Sequence, residues 1–170
     1  MKSFCSLFSL LLLSSCSSPS LPKLMVHRLE WMAQVAQVKQ ARSLPVTDPV
    51  REVQLIKEME TLGAEAGVPD IAVKLFFMGQ IQAAKVRQEE WLATHPRASQ
   101  QRQPVPDLAK TIRPALDHIS KAMVTRLAKD RRSKDPEKIT GEARQLLVEA
   151  GYSKAVIEPS IQGLKSGLKP

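Results

Sequence analysis

The 170-residue sequence predicts an all-α protein with a long first helix and about five further helices. Three observations support this class. Aromatic residues make up only 4% of the chain, whereas Ala, Leu, Gln, Lys and Glu, which favour helices, are plentiful. Apolar residues recur at helical spacing through most of the chain. No segment shows the alternation of polar and apolar residues that is typical of a half-buried strand.

The amino-terminal half predicts three helices. The first covers about 24–43, where Leu24, Leu29, Met32, Val35, Ala36 and Val38 recur at helical spacing, and LPVTDP ends it. The second begins at Asp48, which caps it, with Pro49 as its first residue, and ends near the AGVPD turn at 66–70. The third runs over about 69–94. These three helices form one segment, 24–97.

The carboxy-terminal half predicts three more helices after a polar, proline-bearing linker at 98–106. A fourth helix covers about 107–130. A fifth is opened by the pair Asp135-Pro136 and continues through residue 150. Ser153 caps a last short helix that extends to about residue 164. We expect this segment, 107–170, to complete the functional site.

The first 15 residues predict a signal peptide that is not part of the fold. Lys2 precedes the apolar run CSLFSLLLL, which is too short to span a bilayer as a permanent helix. Leu13 then stands three positions before Cys16, the pattern of a bacterial lipobox in which Cys16 is lipidated. Residues 16–23 are rich in Ser and Pro and predict a tether. The protein is therefore expected to be exported, either as a membrane-anchored lipoprotein or, after ordinary cleavage, as a periplasmic or secreted protein.

The cysteines and the net charge narrow the possible functions. Cys5 and Cys16 both fall in the leader region, so the mature domain has no disulfide, and no Cys/His cluster remains for zinc. The formal net charge of +8 fits nucleic acid, an anionic membrane surface or a small anionic ligand. Export argues against nucleic acid, and the run at 129–138 mixes both signs, which is typical of a solvated helix end. We therefore predict no nucleic-acid partner.

Several polar residues fall where a helical hairpin can bring them to one pocket. Arg28 and Lys39 are eleven residues apart, about three turns, so that both cations share a face roughly 16 Å apart. Arg51 and Glu52 stand side by side in the first turn of the second helix. A cation there opposes the helix dipole, which favours a role in binding a ligand.

On the third helix Gln80, Ala84 and Gln88 recur at i, i+4 and i+8 and are predicted to share a face. Together, the spacing R28-x10-K39, the segment PVTDPVRE at 45–52 and the pattern FF-x2-QI-x2-AK-x2-Q ending at Gln88 resemble the all-helical (type II) chorismate mutases, especially their exported branch. The resemblance covers about 24–125. It implies the type II helical fold and conversion of the substrate chorismate to prephenate.

The resemblance also implies that the three-helix segment 24–97 is catalytic, and it implies residue roles. Arg28 matches a carboxylate-binding arginine, and the segment TIRPALDHISKAM points to Arg113 as a second. Lys39 and Gln88 match the two groups that contact the ether oxygen of chorismate. Asp48, Arg51 and Glu52 match a D-x-x-R-E element whose Glu accepts a hydrogen bond from the ring hydroxyl.

Two departures from the family pattern stand out. Ala84 occupies a substrate-facing position where many relatives carry Ser, Thr or Asn, so one hydrogen bond to the substrate is expected to be missing. The disulfide that often occurs in the second half of exported relatives is absent. The role of residues 126–170 therefore has two alternatives: they cover the site, or they form a homodimer contact.

The implied reaction is an intramolecular rearrangement that needs no cofactor and no metal. Cations that hold a dianion, together with fixed donors to the ether oxygen, are sufficient for it. Two rival functions remain open at this point. One is a non-catalytic exported helical lipoprotein that binds a small anion or a partner protein. The other is a basic helical module at an anionic membrane or nucleic acid.

Overall fold

A computed structural model describes residues 18–96 and 106–169, and these residues form helices and connecting turns without a strand. The elements in chain order are α1 (Leu21–Glu30), α2 (Met32–Ala41), α3 (Pro49–Glu65), α4 (Asp70–Thr94), a π-helical turn (Leu108–Ile112), α5 (Arg113–Asp130), α6 (Pro136–Glu149) and α7 (Lys154–Leu168). Only Trp31 separates α1 from α2, and the π-helical turn runs directly into α5. These elements therefore make six helical units in the described chain, and the predicted all-α class is confirmed.

The predicted helix starts are built by local capping chemistry. The side chain of Asp48 accepts a hydrogen bond from the backbone N–H of Arg51 at 3.1 Å. Asp135 accepts in the same way from Lys138 at 2.9 Å, and Ser153 caps α7. A side-chain acceptor at the N-cap satisfies a backbone donor that has no partner within the helix. The beginnings of α3, α6 and α7 are thus confirmed.

The first helix begins earlier than the sequence predicts. It starts at Leu21 and not at residue 24, so the predicted tether over 16–23 is wrong for 21–23. Leu21 is completely buried, as is Met25 one turn later. Burial against other helices therefore makes residues 21–23 helical, despite the Ser- and Pro-rich segment before them. The predicted signal peptide at 1–15 and the lipidation site Cys16 lie outside the described residues.

The last helix also extends further than predicted. It reaches Leu168, four residues beyond the expected end, although Pro159 lies inside it. Its apolar residues continue at helical spacing, and Ile161, Leu164 and Leu168 are all buried. The helix continues as long as that face has a core to cover.

The core is organised around α4, which packs against α7, α3 and α2. Phe76 and Phe77 of α4 are fully buried, with their rings in an edge-to-face arrangement 5.1 Å apart. The backbones of α4 and α7 meet at Gly79 and Gly163, where a Cβ on Gly163 would lie 2.8 Å from the carbonyl oxygen of Phe76. This close approach fixes α4, which in turn positions the cavity described below. In the described part of the chain, no helix combines the length and the apolar composition needed to cross a bilayer.

Candidate active site

The catalytic and substrate-binding residues that the sequence predicts all line one cavity. It encloses about 730 Å³ of empty space, counted out to its open mouth, and α1 to α5 line it. Its walls include Arg28, Lys39, Asp48, Arg51, Glu52, Ala84, Gln88 and Arg113. Residues that are far apart in the sequence therefore line the same cavity, as their spacing predicts. The described part of the segment 126–170 contributes no wall, and α6 and α7 pack against α1 and α4 instead.

Arg28 is a buried cation with incomplete compensation. It is 6% exposed, its Nη1 donates to the backbone carbonyl of Gln80 at 3.2 Å, and its Nε has no hydrogen-bond partner among the described residues. Burial lowers the pKa of Arg28 to about 10. The negative charge of Asp117 opposes this effect, and the positive charge of Arg51 adds to it. The guanidinium remains charged at neutral pH. A planar, charged donor set with unused capacity is suited to a carboxylate.

Lys39 is held at the cavity by the loop that follows α2. Its Nζ donates to the carbonyl oxygen of Val46 at 2.5 Å. Burial lowers the pKa of Lys39 below its ordinary value, although the carboxylates of Asp48 and Glu52 act in the opposite direction. An ammonium has three N–H donors, so two remain for a ligand after the bond to Val46. Lys39 is therefore both positioned and still able to donate.

Gln88 presents an amide from α4 and is 4% exposed. Its Nε2 donates to the carbonyl oxygen of Ala84 at 3.0 Å and lies 3.7 Å from the sulfur of Met32. An amide nitrogen carries two N–H groups, and a thioether is a weak acceptor. One N–H is thus anchored to the helix, and a ligand oxygen would be a better partner for the other than the sulfur is.

Three ion pairs cross the cavity and connect the start of α3 to its neighbours. They are Arg51 with Asp117, Lys85 with Glu52 at 3.2 Å, and Arg113 with Asp48 at 3.7 Å. Each charged group is partly exposed, so that each pair is worth little for stability. Their effect is to fix where the charges stand. Oε1 of Glu52 also accepts from the backbone N–H of Asp48 at 3.3 Å, which anchors this carboxylate to the beginning of α3.

Gln80 does not belong to the cavity, which corrects the predicted shared face of Gln80, Ala84 and Gln88. Eight residues at about 100° each bring the helix roughly 80° away from its starting direction. Gln80 is fully buried against α7, where its Nε2 donates to the carbonyl oxygen of Ser160 at 3.2 Å. Its backbone carbonyl nevertheless holds Arg28, so it supports the site from behind.

Two charged residues of the cavity were not identified from the sequence: Lys85 and Asp117. Lys85 stands three residues before Gln88, and Asp117 stands four residues after Arg113. Helical spacing from an already recognised residue would have found both. Ser120, a further wall residue three positions beyond Asp117, follows the same rule.

The cavity combines apolar walls with an excess of positive charge. The apolar side chains are Met32, Val35, Val46, Leu55, Ile81, Ala84, Leu108 and Leu116. Among the described residues that line it, five are basic and three are acidic, a formal net charge of +2. Such a chamber suits a small, compact ligand that has an apolar body and two negative charges.

The fold is all-helical, and its cavity between α1 and α5 carries a formal net charge of +2. Residues 20–89 match the family model described as chorismate mutase type II. No curated protein matches the chain.

Three solved structures extend the likeness beyond that segment. Chorismate mutase from Burkholderia thailandensis is 28% identical with a TM-score of 0.73, covering 86% of this chain and 96% of that one. Chorismate mutase from Burkholderia phymatum is 25% identical with a TM-score of 0.71, covering 88% and 94%. Secreted chorismate mutase from Yersinia pestis is 19% identical with a TM-score of 0.75, covering 88% and 97%, a likeness of fold.

These findings confirm the predicted chorismate mutase type II fold. Residues 20–89 carry the type II segment, and the structural likeness includes the helices that follow it. The family match and the Burkholderia neighbours support the chorismate mutase function that the sequence predicts.

Proposed function

We propose that the protein is an isomerase that converts chorismate to prephenate in the cavity described above. The observation that carries this proposal is the convergence of Arg28, Lys39 and Gln88 on one cavity. Each of the three has an N–H that is unpaired or is only weakly bonded in the described chain. The proposed substrate is a small dianion, which matches the net charge of the walls.

The reaction sets two requirements. In the rearrangement the C–O ether bond breaks while a C–C bond forms within the same molecule, so no nucleophile or proton transfer takes part. The enzyme must hold the substrate in its compact conformer, because correct positioning removes an entropic barrier. It must also stabilise the negative charge that develops on the ether oxygen.

Holding the substrate is proposed for Arg28 and Arg113, each through a planar fork to one carboxylate. Arg28 is buried, whereas Arg113 is partly exposed and pairs with Asp48 at 3.7 Å. That long pair can give way to a ligand carboxylate. Arg51, already at the cavity wall, adds positive charge and is proposed to assist in binding.

Stabilising the ether oxygen is proposed for Lys39 and Gln88. Lys39 brings a full charge, and Gln88 brings a neutral donor that is fixed by its bond to Ala84. Both are anchored before the ligand arrives, which is the condition for effective electrostatic catalysis. Glu52, held by Lys85 and by the backbone N–H of Asp48, is proposed to accept the hydrogen bond of the ring hydroxyl.

The direct experiment is a turnover assay on residues 17–170, purified without the leader. Chorismate absorbance should fall at a rate proportional to protein concentration, with prephenate as the product. The control is the same protein after thermal unfolding. A folded protein that leaves chorismate unchanged at high concentration would refute the proposed function.

A second candidate is a non-catalytic module that binds a small anion or a partner protein. The observation in its favour is Ala84, which offers no side-chain hydrogen bond to a substrate, next to an amide that is partly engaged by its own helix. Calorimetry decides between the two functions. Binding of chorismate without turnover would establish the module, and turnover would exclude it.

Export and lipid attachment are also proposed, on the basis of the leader and of Cys16. The Yersinia pestis neighbour is a secreted chorismate mutase, which agrees with export. The test is the mass of the mature amino terminus and the fractionation of the Cys16→Ser variant. A lipoprotein loses its acyl mass and its membrane association in this variant, whereas a simply secreted protein shows neither in the wild type. Light scattering on the mature protein tests the alternative that residues 126–170 form a homodimer contact.

A further inference from the structure

Asp117 interacts electrostatically with two of the cavity's arginines, Arg51 and Arg28. It is the carboxylate that α5 contributes, four residues after Arg113, and it forms an ion pair with Arg51. Its charge also acts on Arg28, where it opposes the effect of burial on the pKa of the guanidinium. Asp117 is therefore a carboxylate of the protein itself that stands among the groups proposed to receive the carboxylates of a ligand.

The other two acids of the cavity have structural roles at the beginning of α3. Asp48 caps that helix through the N–H of Arg51, and Glu52 accepts from the N–H of Asp48. The polar contact that the described chain gives Asp117 is with Arg51 alone. Asp117 neither caps a helix nor begins one, so a structural role of that kind does not explain an acid at this position. We therefore ask what its negative charge does in the cavity.

The charges of the cavity suggest the reason. The basic residues are Arg28, Lys39, Arg51, Lys85 and Arg113, and the acidic ones are Asp48, Glu52 and Asp117. The resulting net charge is +2, which a dianion neutralises. Without Asp117 the net charge would be +3, and a ligand with three negative charges would be the better match.

We propose that Asp117 is a specificity-determining residue that limits the ligands of this cavity to two negative charges. It does so as the resident counterion of Arg51, leaving too little positive charge for a third carboxylate and repelling one that enters. This deepens the proposed function, on which it rests for the identity of the dianion. Specificity achieved by a repulsive group is a common complement to attractive contacts.

The experiment compares two anions that differ by a single carboxylate. Glutarate carries two, and tricarballylate is glutarate with a third on its central carbon. Their dissociation constants are measured by calorimetry, and their inhibition constants against chorismate turnover, at a pH where both are fully ionised. The proteins are the wild type, Asp117→Asn, the charge-preserving Asp117→Glu, and the control Glu58→Gln. Glu58 also pairs with Arg51, at 3.7 Å, but lines no part of the cavity.

The wild type should bind glutarate more tightly than tricarballylate. The measured quantity is the ratio of the dissociation constants of tricarballylate and glutarate. Asp117→Asn removes a unit charge a few ångströms from a bound carboxylate, so this ratio should change by at least about tenfold in favour of tricarballylate. Asp117→Glu and Glu58→Gln should keep the ratio of the wild type within about twofold, since neither changes the charge at the cavity wall. Circular dichroism confirms that each variant is folded.

An unchanged ratio in folded Asp117→Asn, or an equal change in Glu58→Gln, overturns the inference. The calorimetric measurement separates it from the proposed reaction. If the wild type converts no chorismate but the ratio of dissociation constants changes in Asp117→Asn, the proposed reaction is refuted and the charge limit is supported. Turnover combined with an unchanged ratio overturns the charge limit alone.

Discussion

The guanidinium of Arg28 donates through Nη1 to the backbone carbonyl oxygen of Gln80 at 3.2 Å, across two helices and 52 residues of sequence. This contact orients a buried cation whose charge is not matched by a direct ion pair in the described chain. The side chain of Gln80 points the other way and bonds to α7. The site is thereby connected, through α4, to a helix that contributes nothing to the cavity walls.

The first prediction concerns the buried charge. Arg28→Met should lower kcat/KM by about a hundredfold or more, since a substrate carboxylate loses a charged partner in a desolvated place. The melting temperature should stay constant or rise, because removing an incompletely compensated buried charge relieves its desolvation. Steady-state kinetics and thermal unfolding measure the two effects.

The matched control for that prediction is Arg144→Met. Arg144 is exposed, pairs with Glu158 at 2.8 Å and lies outside the cavity, so its variant should keep the kinetics of the wild type. A large loss of stability in Arg28→Met, in proportion to its loss of activity, would show that Arg28 has a structural role instead.

The second prediction is the shape of the pH profile. Gln88 does not titrate, so kcat should be constant from mildly acidic to neutral pH. Burial lowers the pKa of Lys39, so the ammonium loses its proton at a lower pH than a solvated lysine does. The neutral amine cannot stabilise a developing oxyanion, and kcat should therefore fall as the pH rises through that lowered pKa.

Gln88→Glu tests the acidic side of the same profile. A carboxyl at this position can donate to the ether oxygen only when protonated, so the variant should be most active in acid and lose kcat as the pH rises. A wild-type rate that already falls steeply between about pH 5 and 8, near the ordinary range of a histidine, contradicts the assignment of Gln88.

The third prediction concerns Ala84, where the family pattern has a hydrogen-bonding side chain. Ala84→Ser should lower KM about fivefold, the effect of one additional hydrogen bond of about 1 kcal/mol. Ala93→Ser, on the exposed part of the same helix, serves as the control and should leave KM unchanged. An unaltered KM in Ala84→Ser would indicate that the hydroxyl bonds to its own helix and not to the substrate.

The fourth prediction concerns the contact between α4 and α7. Gly163→Ala would place a Cβ 2.8 Å from the carbonyl oxygen of Phe76 and 2.9 Å from the Cα of Gly79. Backbone atoms cannot move aside cheaply, so the free energy of unfolding should fall by about 1 to 3 kcal/mol. Denaturant unfolding monitored by circular dichroism provides the measurement.

Gly141→Ala is the control for that prediction. A Cβ at Gly141 meets nothing within 4 Å, and the residue is exposed in α6, so the same change should stabilise the protein by about 0.5 to 1 kcal/mol. Equal effects at the two positions would show that the contact between α4 and α7 is looser than described.

What the sequence predicted correctly depends on short-range chemistry. Asp48, Asp135 and Ser153 are recognisable as caps because a cap is defined by its immediate neighbours. The shared orientation of Arg28 and Lys39 follows from helical periodicity, which persists across the interruption at Trp31. Such features need no knowledge of the packing.

What the sequence did not predict depends on tertiary contacts. The shared face of Gln80 with Gln88 was wrong because α7 covers that side of α4, and the start of α1 was wrong because Leu21 is buried by other helices. The pairing of Arg51 with Asp117 joins residues 66 positions apart, and only the packing of α3 against α5 brings them together. Composition and periodicity contain no information about such pairs.

The fifth prediction concerns the proposed catalytic principle, that fixed donors around one cavity stabilise the ether oxygen as its bond breaks. Lys39→Ala should lower kcat for chorismate by about two orders of magnitude or more, the effect of losing about 3 kcal/mol of transition-state stabilisation, with a smaller change in KM. The measurement is the initial rate of chorismate loss by residues 17–170 of the wild type and of the variant, each shown to be folded. A kcat of Lys39→Ala close to that of the wild type would refute this principle.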